Sequence, residues 1–152
     1  MRLRMPFQQY FVKYWLPVVL GMCFIFWMST ETFSSRNTSS LVTTILRFLV
    51  PEISSQETAL IHAFIRKSGH VIEYFILGLL LFRAFRGGSN TSFNWRWSLF
   101  ALTVVVLWAA GDEFHQFFIP TRRACAVDVG IDTAGGMFAQ VVGALRHLYR
   151  MK

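Results

Sequence analysis

Cysteine is scarce in this 152-residue chain, and several sequence motifs of known enzyme classes are absent. Its two cysteines, Cys23 in the middle of an apolar run and Cys125 in a polar connection, are not placed to pair, so no disulfide framework is predicted. The sequence has no internal repeat and no low-complexity tract. It also lacks an H-E-x-x-H metal motif, a serine nucleophile elbow and a phosphate-binding loop. We therefore predict no metal and no cofactor.

What the chain has in excess is apolar surface. Apolar residues make up 54% of the sequence, aromatic residues make up 16%, and the mean hydropathy is +0.44. A small soluble domain cannot bury that much apolar surface. The net charge of +7 would suit nucleic acid, but the basic residues flank apolar runs instead of lining a polar surface. We therefore expect a bilayer around the chain and no nucleic-acid partner.

Four apolar runs approach the ~20 residues that cross ~30 Å of hydrocarbon. The first follows a basic N-terminus and lacks the small-x-small cleavage site of a secretory signal, so we expect it to be retained. The sequence predicts an all-α, polytopic membrane protein with a single domain over residues 1–152. Its four transmembrane helices are predicted at about residues 14–29, 69–85, 97–118 and 126–148.

The distribution of charge predicts the orientation. The N-terminal tail, the connection after the second predicted transmembrane helix and the C-terminus contain basic residues and no acid. By the positive-inside rule these regions, and both termini, face the cytoplasm. All eight acidic residues then fall on the outer side, with the outer loop 30–66 and the turn around Pro120.

The outer loop is predicted to fold over the bundle as a short amphipathic helical lid. Apolar residues from Leu41 to Leu49 recur at helical spacing, and Pro51 ends the pattern. Ser54 and Glu57 have the spacing of a capping box, which begins a second helical segment leading into the next transmembrane helix.

Three of the predicted transmembrane helices carry polar stripes at the same depth. Because charges are costly in lipid, these stripes must point towards one another or into a water-filled cavity. Arg122 and Arg123, in the turn before the last helix, would bind either these acids or an anionic group from outside. The stripes consist of Lys67, His70, Glu73 and Tyr74; of Asp112, Glu113 and Gln116; and of Asp128 and Asp132.

These motifs resemble the VanZ-like family of small bacterial membrane proteins. The resemblance covers roughly residues 67–143, in which Thr121 stands where glycine is usual and Asp132 where asparagine is usual. It implies a location in the bacterial inner membrane. The family takes its name from a protein associated with resistance to the glycopeptide teicoplanin. The matching motifs are Lys67-x-x-His70 with Glu73-Tyr74 and Leu77-Gly78, Asp112-Glu113-x-x-Gln116 with Pro120-x-Arg122, and Asp128 followed by Asp132 and Gly135.

Three functional hypotheses follow. In the first, the polar groups form an outward-facing pocket that binds an anionic lipid, a lipid-linked cell-wall precursor or a glycopeptide, with a role in teicoplanin tolerance. In the second, the pocket is an intramembrane hydrolase or transferase acting on a lipid phosphate, with catalytic candidates His70, Glu73, Asp112, Glu113 and Asp128. In the third, the polar network only fixes the register of the helices. The ligand-binding candidates are Lys67, His70, Glu73, Tyr74, Asp112, Glu113, Gln116, Arg122, Asp128 and Asp132.

Overall fold

The part of the chain that the structure describes forms five helices. The computed structural model describes residues 6–30, 35–89, 93–120 and 125–150, and in that part of the chain all regular structure is helical. Helices α1, α3, α4 and α5 form a bundle, and α2 packs on α3. The bounds are Phe7–Met28 for α1, Ser35–Leu49 for α2, Ser55–Arg86 for α3, Trp95–Phe117 for α4 and Ala126–Arg150 for α5.

Helix α1 is interrupted by one wider turn. Residues Phe11–Trp15 form a π-helical stretch, and Pro17 lies at the start of the α-helical segment that follows. Proline has no backbone N–H to donate to the preceding turn, so a local change in the hydrogen-bond pattern is expected there. The helix begins earlier than the predicted residue 14, because the aromatic N-terminus continues the helical backbone.

Helix α3 continues from the capping box into the second predicted transmembrane segment. The capping box is confirmed: Ser54 Oγ accepts from the Glu57 backbone N–H at 3.2 Å, and the Glu57 carboxylate accepts from the Ser54 backbone N–H at 2.9 Å. The helix then runs for 32 residues without a break at Gly69. At about 48 Å it is longer than the hydrocarbon core is thick. It ends at Gly87, whose φ of 55° is left-handed and favours glycine.

Small residues allow α3 and α5 to pack closely. A Cβ atom added to Gly78 would lie 2.9 Å from the Ala139 Cβ atom, and one added to Gly135 would lie 2.5 Å from the Val71 carbonyl oxygen. Gly143 of α5 is less closely packed, since an added Cβ atom would have its nearest neighbour at 3.9 Å. Close approach of the two backbones thus depends on Gly78 and Gly135.

Gln140 ties three helices together in the middle of the bundle. Its side-chain amide donates to the Gly78 carbonyl oxygen of α3 at 3.1 Å. Its side-chain oxygen accepts from the Ser98 hydroxyl of α4 at 2.9 Å. The amide of this residue therefore helps to fix the register of α3 and α4 against α5.

Three helices of the described chain are long and apolar enough to cross a membrane: α1, α3 and α4. Helix α5 has a similar length, 25 residues, but it is not among the three. Its face towards the bundle carries Asp128, Asp132 and Gln140, which lower its mean hydropathy. Many large apolar side chains point outward from the bundle, among them Phe100, Leu107 and Phe138, as expected for helices surrounded by lipid.

The bundle has two chemically different ends. We call the end with Arg83, Arg86, Arg96 and Arg146 the basic end, and the opposite end, with Asp112, Glu113, Asp128 and Asp132, the acidic end. The hydroxyl of Tyr10 on α1 lies 3.5 Å from the Ala84 carbonyl oxygen of α3 at the basic end. The hydroxyl of Ser29, at the other end of α1, contacts Asp112 of α4. Helix α2 lies beside the acidic end.

Candidate functional site

The Asp112 carboxylate is buried at the acidic end of the bundle. Asp112 and Gln116 are one turn apart on α4, so they share a face as the sequence predicts. The Gln116 side-chain amide donates to Asp112 Oδ2 at 3.1 Å, and the Ser29 hydroxyl donates to the same oxygen at 2.6 Å. All three residues are buried. The Asp112 side chain therefore joins α1 to α4.

Ser29 was not among the predicted site residues. It is 83 positions away from Asp112 in the sequence and follows directly after the last residue of α1. The signal for it in the sequence is weak: a hydroxyl at the end of an apolar run is also common in helix caps and turns. Only the packing of α1 against the bundle reveals its role.

His70 of α3 faces Asp132 of α5. The His70 Nδ1 atom lies 3.5 Å from Asp132 Oδ1, and only 3% of the Asp132 side chain is exposed. This distance is long for a hydrogen bond, and neither atom has another hydrogen-bond partner in the described part of the chain. The contact becomes an ion pair when the imidazole is protonated.

The other two predicted acids of this end have specific partners. The Lys67 ammonium group donates to Asp128 Oδ1 at 3.0 Å and so links α3 to α5. The Lys67 side chain is 45% exposed and that of Asp128 is 24% exposed, so this pair is not deeply buried. The Glu113 carboxylate accepts from the backbone N–H of Cys125, just before α5. Both contacts hold the N-terminal part of α5 against its neighbours.

Tyr74 lies at the centre of the bundle. Its side chain is fully buried, and its hydroxyl has no hydrogen-bond partner among the residues that the structure describes. Tyr74 lies one helical turn C-terminal to His70 on α3. It is close enough to Asp112 and Asp132 for their charges to act on its hydroxyl. The polar groups of three helices therefore converge around His70 and Tyr74.

Most of the predicted residues surround a cleft that is too small for a ligand. Its volume is about 10 Å³, which is close to that of one water-sized sphere. Its lining residues include Lys67, His70, Glu113, Gln116, Asp128 and Asp132. The polar stripes thus come together as predicted, but they pack against one another.

A larger cavity lies on the other side of His70, beneath α2. Its volume is about 250 Å³. The Thr38 hydroxyl of α2 lies 3.0 Å from His62 Nε2 of α3, so a hydrogen bond holds the amphipathic helix over this space. The lining combines apolar side chains with charged and polar ones: Met28, Val42 and Ile65 with His62, Arg66, His70 and Glu73.

Arg122 and Arg123 lie outside the described residues, as does Thr121. The ring of His115 packs on Phe26, with 4.7 Å between the ring centroids, away from both cavities. Within residues 6–30, 35–89, 93–120 and 125–150, no group of three or more His, Cys, Asp or Glu side chains is placed to hold a metal ion.

A family model described as VanZ/LLP1 matches residues 14–146 of this chain. The chain belongs to the VanZ-like family. The match extends beyond the motifs in residues 67–143 and includes most of α1 and all of α2, so the helix over the larger cavity lies within the VanZ-like region. No curated protein and no solved structure gives a significant match to the chain. The VanZ-like assignment and the three apolar helices together indicate a membrane protein.

Proposed function

We propose that this VanZ-like protein is a multi-pass protein of the bacterial inner membrane, with four transmembrane helices and cytoplasmic termini. Helix α5 is the fourth, because its 25 residues extend for about 37 Å and it packs along α3. Asp128 and Asp132 on this helix contact α3 side chains, so its low hydropathy does not require surrounding water. With the basic end in the cytoplasm, the acidic end and α2 lie on the outer side.

Within this arrangement, we propose that the cavity beneath α2 binds an anionic lipid headgroup or the phosphate of a lipid-linked cell-wall precursor. The observation that supports this function best is the mixed lining of the cavity. Apolar walls formed by Met28, Val42 and Ile65 suit the first part of a lipid chain, and Arg66 suits a phosphate. A membrane-facing cavity with both properties favours an amphiphilic anion over a soluble one.

This proposal changes the residues expected to contact the phosphate. The sequence indicated Lys67 with Arg122 and Arg123, but Lys67 lines the small cleft and not the cavity beneath α2. Arg66 and His62, one turn apart on α3, instead line the larger cavity. His70 lies between this cavity and the acids of α4 and α5, and its protonated form would add a positive charge beside the ligand.

An envelope role follows from the outer position of the cavity. A protein that holds a lipid-linked precursor at the outer surface would change the access of a glycopeptide to that precursor. Teicoplanin tolerance is the proposed cellular consequence, and it rests on the family as well as on the cavity.

A purely structural role is the second candidate, and one observation favours it. The Ser29, Asp112 and Gln116 side chains hydrogen-bond to one another in a buried position where a ligand has no access. Such a network fixes how α1 sits against α4. Buried ionic networks are often no better for stability than apolar packing, which argues for an additional role at this end of the bundle.

Native mass spectrometry of the detergent-solubilised protein tests the binding proposal. The probe is a long-chain polyprenyl phosphate, compared with the corresponding polyprenol, which lacks the phosphate. Replacing Arg66 with Gln should weaken binding of the phosphate form roughly tenfold to hundredfold, the range for hydrogen bonds to charged groups. Arg47→Gln is the matched control, because it removes an exposed arginine of α2 that does not line the cavity.

Three results would reject the phosphate site or favour another function. Equal binding of the polyprenol and its phosphate, or equal weakening by both substitutions, would reject the phosphate site. No binding of either probe by folded protein would favour the structural role. A change in the mass of the bound polyprenyl phosphate with time would indicate turnover and support the intramembrane enzyme, with His70 and Glu73, the two catalytic candidates that line the cavity beneath α2, as acid and base.

A further inference from the structure

A second cavity lies at the basic end of the bundle, between α3 and α5. Its volume is about 290 Å³, slightly more than that of the cavity beneath α2. Like the cavity beneath α2, it is lined by both charged and apolar side chains. Here, however, all of the charged side chains are basic. The side chains with basic groups that line it are Arg83, Arg86, Arg146 and His147.

These arginines have no acidic partner at their own end of the protein. The sequence contains no acid between Glu73 and Asp112 and none after Asp132, and these three acids belong to the other end of the helices. The ion pairs Lys67–Asp128 and His70–Asp132 both lie at the acidic end of the bundle. Three arginines close together repel one another unless an anion is bound between them.

The guanidinium groups of Arg83 and Arg86 have N–H donors to which an anion could bind. The guanidinium carbon of Arg83 lies 5.5 Å from the centre of the Tyr14 ring of α1, which is a cation–π distance. Stacking on a ring face leaves the N–H groups at the edge of the guanidinium plane available to an acceptor. The Arg86 Nε atom is buried and has no hydrogen-bond partner in the described part of the chain. A buried donor of this kind is costly unless an acceptor reaches it.

This cavity, which we call the groove, also has apolar side chains in its lining. Leu79, Phe82 and Val142 line it together with the arginines. The exposed side chains of Phe138 and Leu145 continue this apolar surface along α5. A ligand with a phosphate at one end and hydrocarbon at the other would match both parts.

We propose that this groove binds the phosphate of an anionic phospholipid headgroup. Basic pockets between helices on the cytoplasmic side of a membrane protein are suited to such headgroups. The shared chemistry is a phosphate, whose oxygens accept charge-assisted hydrogen bonds from arginine, and free phosphate is the other possible source. The inference rests on the proposed membrane arrangement, but it does not depend on what the outer cavity binds.

The test is a native mass-spectrometry titration of the full chain in a neutral detergent. Dissociation constants are measured for phosphatidylglycerol, for phosphatidylcholine, and for phosphatidylglycerol in the presence of millimolar inorganic phosphate. The test variant is Arg86→Gln/Arg146→Gln. The control variant is Lys13→Gln/Arg96→Gln, which removes two cations from the same end of the bundle, neither of which lines the groove.

Phosphatidylglycerol should bind the wild-type protein more tightly than phosphatidylcholine. The groove variant should lose about fivefold in affinity for each arginine removed, or about 25-fold in total, and the control should retain wild-type affinity. If the groove variant does not fold, Arg146→Gln alone, at an exposed side chain, should still give about a fivefold loss.

Equal affinities of the two double variants, or of the two lipids for the wild-type protein, would overturn the proposal. So would complete displacement of phosphatidylglycerol by inorganic phosphate, which would assign the groove to the free ion. Arg66→Gln should leave phosphatidylglycerol binding to the groove unchanged. The groove and the outer cavity can therefore fail independently.

Discussion

The contact between Gly135 of α5 and α3 leads to a sharp prediction about stability. An added Cβ atom would lie 2.5 Å from the Val71 carbonyl oxygen, a backbone atom that cannot rotate away. Non-bonded atoms of this kind normally lie ~3.5 Å apart, so the two helices would have to separate by about 1 Å in Gly135→Ala. Overpacking of this kind costs about 1–3 kcal/mol.

The same helix offers a matched control. Gly130 lies in open space, with no atom within 4 Å of an added Cβ atom. Both Gly→Ala substitutions change the helix propensity by a similar amount, about 1 kcal/mol in favour of alanine. The difference between the two variants therefore isolates the steric cost at Gly135.

The measurement is unfolding in mixed micelles with increasing SDS, followed by circular dichroism. We expect Gly135→Ala to be less stable than Gly130→Ala by about 1–3 kcal/mol. Equal stabilities would refute the close approach of α3 and α5. A loss of stability in Gly130→Ala instead would mean that the face of α5 with Gly130, and not the face with Gly135, packs against α3.

Two further predictions concern the polar contacts of the acidic end. Ser29→Ala removes the shortest hydrogen bond to the buried Asp112 carboxylate, so we expect a loss of about 1.5–3 kcal/mol in the same unfolding assay; a change below about 0.5 kcal/mol would show that the Ser29 contact is not formed. The Lys67–Asp128 pair is partly exposed, so a double-mutant cycle with Lys67→Gln and Asp128→Asn should give a coupling energy of at most about 1 kcal/mol; a coupling above about 3 kcal/mol would mean that the pair is fully buried in the membrane.

Much of the fold follows from local patterns in the sequence. The apolar runs predict α1, α3 and α4, and the capping box at Ser54 and Glu57 predicts where α3 begins. Periodicity also predicts that Asp112 and Gln116 lie on one face of α4. These features depend on residues at most a few turns apart, so one sequence is enough to indicate them.

The pairing between helices could not be predicted in the same way. The partner of Asp112 proved to be Ser29 of α1, and the partner of Lys67 proved to be Asp128 of α5. Helical spacing gives the face on which a side chain lies, but not which neighbouring helix that face meets. For the same reason, the sequence indicated a polar pocket among the stripes, whereas the larger space lies beneath α2, beside Arg66.

The most direct test of the central claim is to map where a lipid phosphate binds. A polyprenyl phosphate that carries a diazirine near its phosphate end would be photo-crosslinked to the protein in membranes, and the modified peptides would be identified by mass spectrometry. The proposed function predicts adducts at the walls of the outer cavity, around Val42 of α2 and Ile65 of α3, with much lower yield in Arg66→Gln than in Arg47→Gln. Adducts confined to other surfaces, with the same yield in both variants, would contradict it.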